Sequence, residues 1–122
     1  MSNQTAFNDL HRFDLRHRRW SNSTIITKGT KPLPRGSASM IRYDDKFLLF
    51  GGYCPSTYRH AHNYASDRYQ FYNDLFSFDP ITSTWTEIKT TNSKIPEERA
   101  SHSAIKQGQY MIIFGGISKR TS

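Results

Sequence analysis

The sequence predicts an all-β chain built on an internal repeat, and three observations predict it. The apolar run KFLLFGG, Lys46 to Gly52, returns as MIIFGG, Met111 to Gly116, and Arg35 returns as Arg99, an offset of 64 (99 − 35). The pattern NDLFSFD, Asn73 to Asp79, is preceded by NDLHRFD, Asn8 to Asp14, and Trp85 by Trp20, an offset of 65 (85 − 20). No stretch carries the apolar spacing of an amphipathic helix of useful length. Four landmarks sharing one period mark a solenoid or a propeller.

Leu10 to Asp14 alternates as a strand with two different faces, and Asp14 to Arg19 makes a polar turn before a second strand that starts at Trp20. Thr24, Ile25 and Ile26 are β-branched, so this strand is expected to run on to Ile26. Lys28 to Pro34 (KGTKPLP) ends it, because proline lacks the ladder donor and glycine opens a turn. Ser37 to Arg42 and Phe47 to Phe50 form the next pair about the turn Tyr43-Asp44-Asp45. Four apolar residues in a row, Phe47 to Phe50, read as a strand covered on both faces. Gly51 and Gly52 then allow a positive φ or a close backbone approach. Tyr53 to Phe71 is expected to be an irregular, tyrosine-rich connection, long enough to be functional. Tyr72 to Asp79 and Trp85 to Ile88, about a turn at Pro80 to Ser83, complete a four-stranded antiparallel meander. Ala100 to Lys106 and Tyr110 to Phe114 open another. The chain thus divides into the last two strands of one unit (7–26), a full unit (34–88) and the first two strands of a third (98–116).

The chain has 122 residues, 35% of them hydrophobic and 14% aromatic, which is a folded composition. No segment reaches the roughly 20 apolar residues of a membrane span, and no leader is legible, so cytoplasm or nucleus is the expected compartment. Cys54 is the only cysteine, an ordinary loop thiol on this reading, with no disulfide framework and no cysteine-rich metal site. The Asn3 and Asn22 glycosylation triplets are read as chance matches. A formal charge of +7 favours acidic partners.

The glycine pair after an apolar strand, the later NDL and FD strand and the following tryptophan resemble kelch repeats over Phe7 to Gly116. The resemblance implies a kelch-type β-propeller, here about two four-stranded blades of an incomplete ring, since closed propellers have about 4–8 blades. Its structural blade residues are Gly51, Gly52, Gly115, Gly116, Asp9, Asp74, Trp20 and Trp85. Within the group, AFNDL (Ala6 to Leu10), the spacing to Trp20 and the long insertion look most like F-box and kelch substrate receptors of cullin-based ubiquitin ligases. That implies ligase subunits as partners, held through a segment absent here, and a chain that is a fragment of a larger ring.

Meander order puts the 53–71 connection and the links 27–34 and 89–98 on one face, and the turns on the other. In kelch substrate receptors, arginines resembling Arg35 and Arg99 point to the channel mouth and bind acidic or C-terminal peptide groups. A guanidinium fork suits a carboxylate, with Ser37 and Ser101 as further donors. The alternative is that these arginines pair with loop carbonyls or with Glu97 and Glu98. Tyr53, Tyr58, Arg59, Tyr64 and Tyr69 have the composition of an interface rim. His60 and His62 lack a third metal ligand, His102 reads as a structural histidine, and Arg16 to Arg19 as a solvated basic turn. The expected function is a protein or peptide interaction module, with no cofactor, metal or membrane. The alternatives are a kelch scaffold or cytoskeleton-binding protein and a basic nucleic-acid surface. No nucleophile elbow, helical zinc pair or phosphate loop supports an enzyme.

Overall fold

The computed structural model describes residues 5–55 and 69–119. Among these residues every regular element is a strand: β1 Phe13–Asp14, β2 Arg19–Trp20, β3 Lys28–Gly29, β4 Ser39–Tyr43, β5 Lys46–Phe50, β6 Tyr53–Pro55, β7 Tyr69–Phe71, β8 Leu75–Asp79, β9 Thr84–Glu87, β10 Ser103–Gln107 and β11 Tyr110–Phe114. The central sheet has the order β3-β9-β8-β5-β4. Its β4, β5, β8 and β9 are the expected antiparallel meander, in a register that sets Ile41 beside Leu48, Leu49 beside Phe76 and Phe78 beside Trp85. The β4 to β5 turn is tight because Asp44 takes a φ of 54°, a conformation aspartate tolerates better than most side chains.

Alternation in β8 decides the core. Phe76 and Phe78 point to one side and, with Trp85 from β9, make a buried cluster against which Leu10, Phe47 and Leu49 pack. Burying each aromatic stabilises by roughly 1.5–3 kcal/mol. Leu10 belongs to the preceding half-blade, so the core already spans a seam between units. On the other side of the sheet Phe50 meets His102 edge-on at 5.5 Å.

Three expectations are corrected. The strand after Trp20 does not run to Ile26: β2 is two residues long, and beyond it the backbone returns to its neighbour only through Ser21 N to Arg12 O (2.9 Å) and Ile25 N to Leu10 O (3.0 Å). The link 27–34 is not merely a turn on the ligand face, since Lys28–Gly29 pairs in parallel with Thr84–Trp85 and covers the sheet's outer edge. Glycine is required there: φ is 81° and a Cβ would sit 2.0 Å from the Trp85 carbonyl oxygen. The 53–71 connection is not irregular throughout, because its two ends pair as β6 and β7 with Tyr53 opposite Phe71.

The half-blades flank this sheet as separate two-stranded units, β1-β2 and β10-β11. The seam to β10-β11 is stitched by backbone, Gly52 N to Arg99 O (2.8 Å), Arg99 N to Tyr72 O (3.1 Å) and Ser101 N to Ser37 O (2.9 Å). Gly51 makes that seam possible: φ is 71°, and a Cβ would lie 2.7 Å from Arg99 O and 2.9 Å from the His102 ring. Gly108 has a similar φ of 57° but open space around it. Both should resist alanine by the left-handed backbone cost of about 1–2 kcal/mol, and Gly51→Ala by a further 1–3 kcal/mol or so of overpacking. Urea unfolding should therefore show Gly51→Ala well below Gly108→Ala; equal midpoints would mean that the seam relaxes freely.

Candidate functional site

Arg35 turns its guanidinium into the blade. Its side chain is 5% exposed, and the guanidinium donates from Nη1 to Asp74 Oδ1 (2.5 Å), from Nη2 to Asp74 Oδ2 (3.1 Å), from Nη1 to Gly51 O (3.0 Å) and from Nε to Leu33 O (3.0 Å). Its carbon lies 4.1 Å from the Tyr72 ring centroid and 5.5 Å from that of Phe76. The carboxylate that the fork holds is the blade's own Asp74. Loop carbonyls do take part, as the alternative reading had it, whereas Glu97 and Glu98 do not pair with Arg35.

Arg99 repeats half of this arrangement. Nε donates to Glu97 O (3.0 Å) and Nη1 to Gly115 O (3.1 Å), the counterparts of Leu33 O and Gly51 O. The link before each arginine is pinned in the same way, Asn8 Nδ2 to Pro32 O and Asn73 Nδ2 to Pro96 O, both 3.2 Å. Sequence reading missed these asparagines although they repeat, because their acceptors lie more than twenty residues away. Asp9, the counterpart of Asp74, accepts instead from His11 Nε2 at 2.8 Å, and that bond is the main reason its carboxyl titrates lower than usual.

Ser37 and Ser101 lie exposed at the start of their units with φ of 54° and 60°. Left-handed backbone is costly for serine. At Ser37 the cost is offset by the carbonyl it presents to Ser101 N across the seam. Beside them Gly36 bridges Tyr53 through two backbone hydrogen bonds of 2.8 and 2.9 Å. Tyr53 in turn stacks with Phe71 at 5.7 Å and meets Tyr69 edge-on at 5.5 Å. Backbone bonds thus link Ser101 to Ser37 and the adjacent Gly36 to the aromatic group Tyr53, Tyr69 and Phe71, a stretch called here the ridge, with Tyr69 42% exposed. Tyr58, Arg59 and Tyr64, and the pair His60 and His62, lie outside the described residues. Among the described residues no three His, Cys, Asp or Glu side chains gather as a metal site.

Cys54 is buried in β6 rather than exposed in a loop, its Sγ 3.6 Å from Pro55 O, and burial pushes the thiol up. Tyr72, under the Arg35 guanidinium, is likewise raised by burial, and its hydroxyl is enclosed without a partner. His102 is buried in the seam with Nε2 2.7 Å from Ser39 Oγ. Ser39 Oγ donates onward to Phe50 O at 3.4 Å, which assigns the ring proton to Nε2. Burial, and then the Arg99 charge, lower the pKa of His102.

A family model described as the KLHDC2/KLHL20/DRC7 Kelch-repeats domain matches residues 1–122. The chain is 38% identical over 100 residues to a probable serine/threonine-protein kinase of Dictyostelium discoideum, covering 80% of this chain and 6% of that protein. It is 33% identical over 104 residues to mouse Kelch domain-containing protein 1, covering 75% of this chain and 25% of the relative. With human Kelch domain-containing protein 10 the identity is 28% over 117 residues, 94% of this chain and 23% of the relative. The chain therefore spans a quarter or less of the length of these relatives.

Two expected outcomes follow from the buried groups. Arg35→Met should destabilise the fold by about 1.5–3 kcal/mol, the worth of hydrogen bonds to a charged group, because Asp74 keeps partial access to water. Asp74→Asn should cost less, and a double-mutant cycle in urea that finds no coupling would contradict the pair. For His102 the folded pKa lies below the unfolded one, so its contribution is complete above about pH 6.5 and is lost as pH falls from there toward the folded value. Between pH 7 and 5 the urea midpoint should fall more steeply in the parent than in His102→Gln; parallel slopes would contradict the burial.

Proposed function

The chain belongs to the KLHDC2/KLHL20/DRC7 kelch-repeats family, and we propose that it is a non-catalytic protein-interaction module whose ligand face is the ridge of Ser37, Ser101, Tyr53, Tyr69 and Phe71. The observation that supports this most is the Tyr53 and Tyr69 pair, held edge-on by β6 and β7 with Tyr69 open to solvent. Tyrosines fixed by neighbouring strands lose little entropy on binding and offer both an apolar body and a polar tip. The segment between these strands adds Tyr58, Arg59 and Tyr64 to the same composition, and the charge of +7 favours an acidic protein segment as the ligand.

The finer reading rests on resemblance. The AFNDL stretch, the spacing to Trp20 and the long insertion resemble F-box only protein 42, so we infer the substrate-recognition propeller of a cullin-based ubiquitin ligase. A kelch scaffold or cytoskeleton-binding role uses the same face. The kinase-named relative does not argue for catalysis here, since the match covers 6% of that protein.

The test is fluorescence titration with labelled Asp- and Glu-rich peptides and, in parallel, an oligothymidine strand, at two salt concentrations. An acidic peptide should bind with a shallow salt dependence, and Tyr69→Ala should weaken it by about tenfold or more, as loss of an interface aromatic does. Binding of the oligonucleotide alone, with affinity falling steeply in salt, would replace this reading with a nucleic-acid surface.

A further inference from the structure

We propose that Ser21 is a phosphoacceptor for a protein kinase that reads arginine before the serine, and that Arg12 holds the phosphate once it is attached. Arg18 and Arg19 stand three and two places before Ser21, and charge at such places is one way in which kinases select substrates. In the reaction Ser21 Oγ bonds to the γ-phosphorus of ATP, the bond from that phosphorus to the β,γ-bridging oxygen breaks, ADP leaves and the hydroxyl proton passes to the kinase's base. The receiving group is already in place. Ser21 N donates to Arg12 O at 2.9 Å and Arg12 Nε to Ser21 Oγ at 3.4 Å, so the register of β1 on β2 runs one pair further and sets the guanidinium beside the hydroxyl. A phosphate brings about −1.5 to −2 of charge and three acceptor oxygens, and a guanidinium fork can take two of them together. Arg19, two residues before Ser21 on the same face of the strand, adds a second cation.

The complete blade is the internal comparison. At the offset of 65 (86 − 21), Arg12, Arg18, Arg19 and Ser21 correspond to Ser77, Ser83, Thr84 and Thr86. The backbone is alike in both units: Ser77 pairs with Thr86, Arg18 and Ser83 take φ of 54° and 55°, and Asp14 and Asp79 each cap the turn, accepting at 2.9 Å from Arg16 N and Ile81 N. The turn therefore forms without any arginine, and three cations around one hydroxyl need a reason other than folding. Among the described residues none of the three makes an ion pair with a carboxylate. Asp14, the acid of this turn, is taken up by the turn backbone and by His17 Nδ1 at 2.8 Å. Arg12 and Ser21 do not owe their exposure to an absent neighbour. Leu10, Arg12 and Asp14 alternate onto one side, and Leu10 packs on the Phe76, Phe78 and Trp85 cluster. That side looks toward the complete blade, and Ser21 is partly exposed with that blade in place. Because β2 is two residues long and Ser21 lies beyond it, presenting the segment to a kinase cleft breaks few backbone bonds.

The experiment treats the folded 122-residue chain with ATP and a kinase that selects arginine two and three places before serine, and locates the phosphate by mass spectrometry. Ser21 should be labelled, and Arg18→Ala and Arg19→Ala should each slow its labelling about tenfold, as loss of one hydrogen bond to a charged group does. All three arginines are exposed, so none of these changes should disturb folding. The phosphorylated chain is then titrated by phosphorus NMR. Its phosphoserine should lose the second proton below the ordinary value of about 6, and Arg12→Gln, which leaves Arg18 and Arg19 in place, should return the midpoint toward that value. A folded chain labelled elsewhere and not at Ser21, or labelling of Ser21 unmoved by both arginine changes, would overturn the site. The same midpoint in the parent and in Arg12→Gln would overturn the role of Arg12.

Discussion

A guanidinium withdrawn from water must find acceptors for a rigid planar fork, and Arg35 finds them in three separate segments. Leu33 O lies in the incoming link, Gly51 O at the end of β5, and the Asp74 carboxylate just before β8. The inner strands, the link and the long connection between β5 and β8 are therefore fixed relative to one another by a single side chain. Lysine has the charge but not the geometry, since its point-like head cannot hold two parallel bonds to a carboxylate and two carbonyls together. The Tyr72 ring under the fork completes the enclosure. The connection from Tyr53 to Phe71 can then vary in length without disturbing the blade, because both of its ends are tied to residues that Arg35 already holds.

The same sequence pattern has opposite fates in the full and partial units. Phe50 and Trp85 are buried, whereas Phe114 and Trp20, at equivalent places in the repeat, lie in water. Local propensity is alike in the two settings, so the difference is the neighbour. Propeller blades are stabilised largely across their seams, and the paired Asn8 to Pro32 and Asn73 to Pro96 bonds show one seam device used twice.

The meander, its turns and the glycine positions were legible because each depends on a signal carried within a few residues: alternation in LFSFD, an aspartate pair at 44 and 45, a glycine pair after KFLLF. What escaped depends on contacts distant in sequence. Arg35 stands at the start of a unit whichever way its fork turns, and only the closed blade brings Asp74 to it. Lys28–Gly29 reads as a breaker because glycine and the later prolines suppress strand signals, yet its parallel pairing with β9 is set by the outer edge of another unit. The β6 and β7 pairing was hidden by the length of the insertion, and the buried setting of Cys54 with it. His102 was recognisable as structural, but its place in the seam depends on Ser39 of β4, 63 residues away in sequence.

The candidate ligand face inherits this dependence on neighbours. Ser37 and Ser101 belong to different units, and their separation is set by the backbone bond from Ser101 N to Ser37 O. Both residues adopt left-handed backbone, and both are exposed. His102 is buried in the same seam, where burial and then the Arg99 charge lower its pKa. A ligand touching both serines therefore reads the distance between two blades and not the surface of one. Tyr53 is tied to the same frame through Gly36, so the aromatic part of the ridge moves with the seam as well. Any change that loosens the packing of Gly51 against Arg99 and His102 should act on binding as strongly as on stability, although none of these residues need touch the ligand.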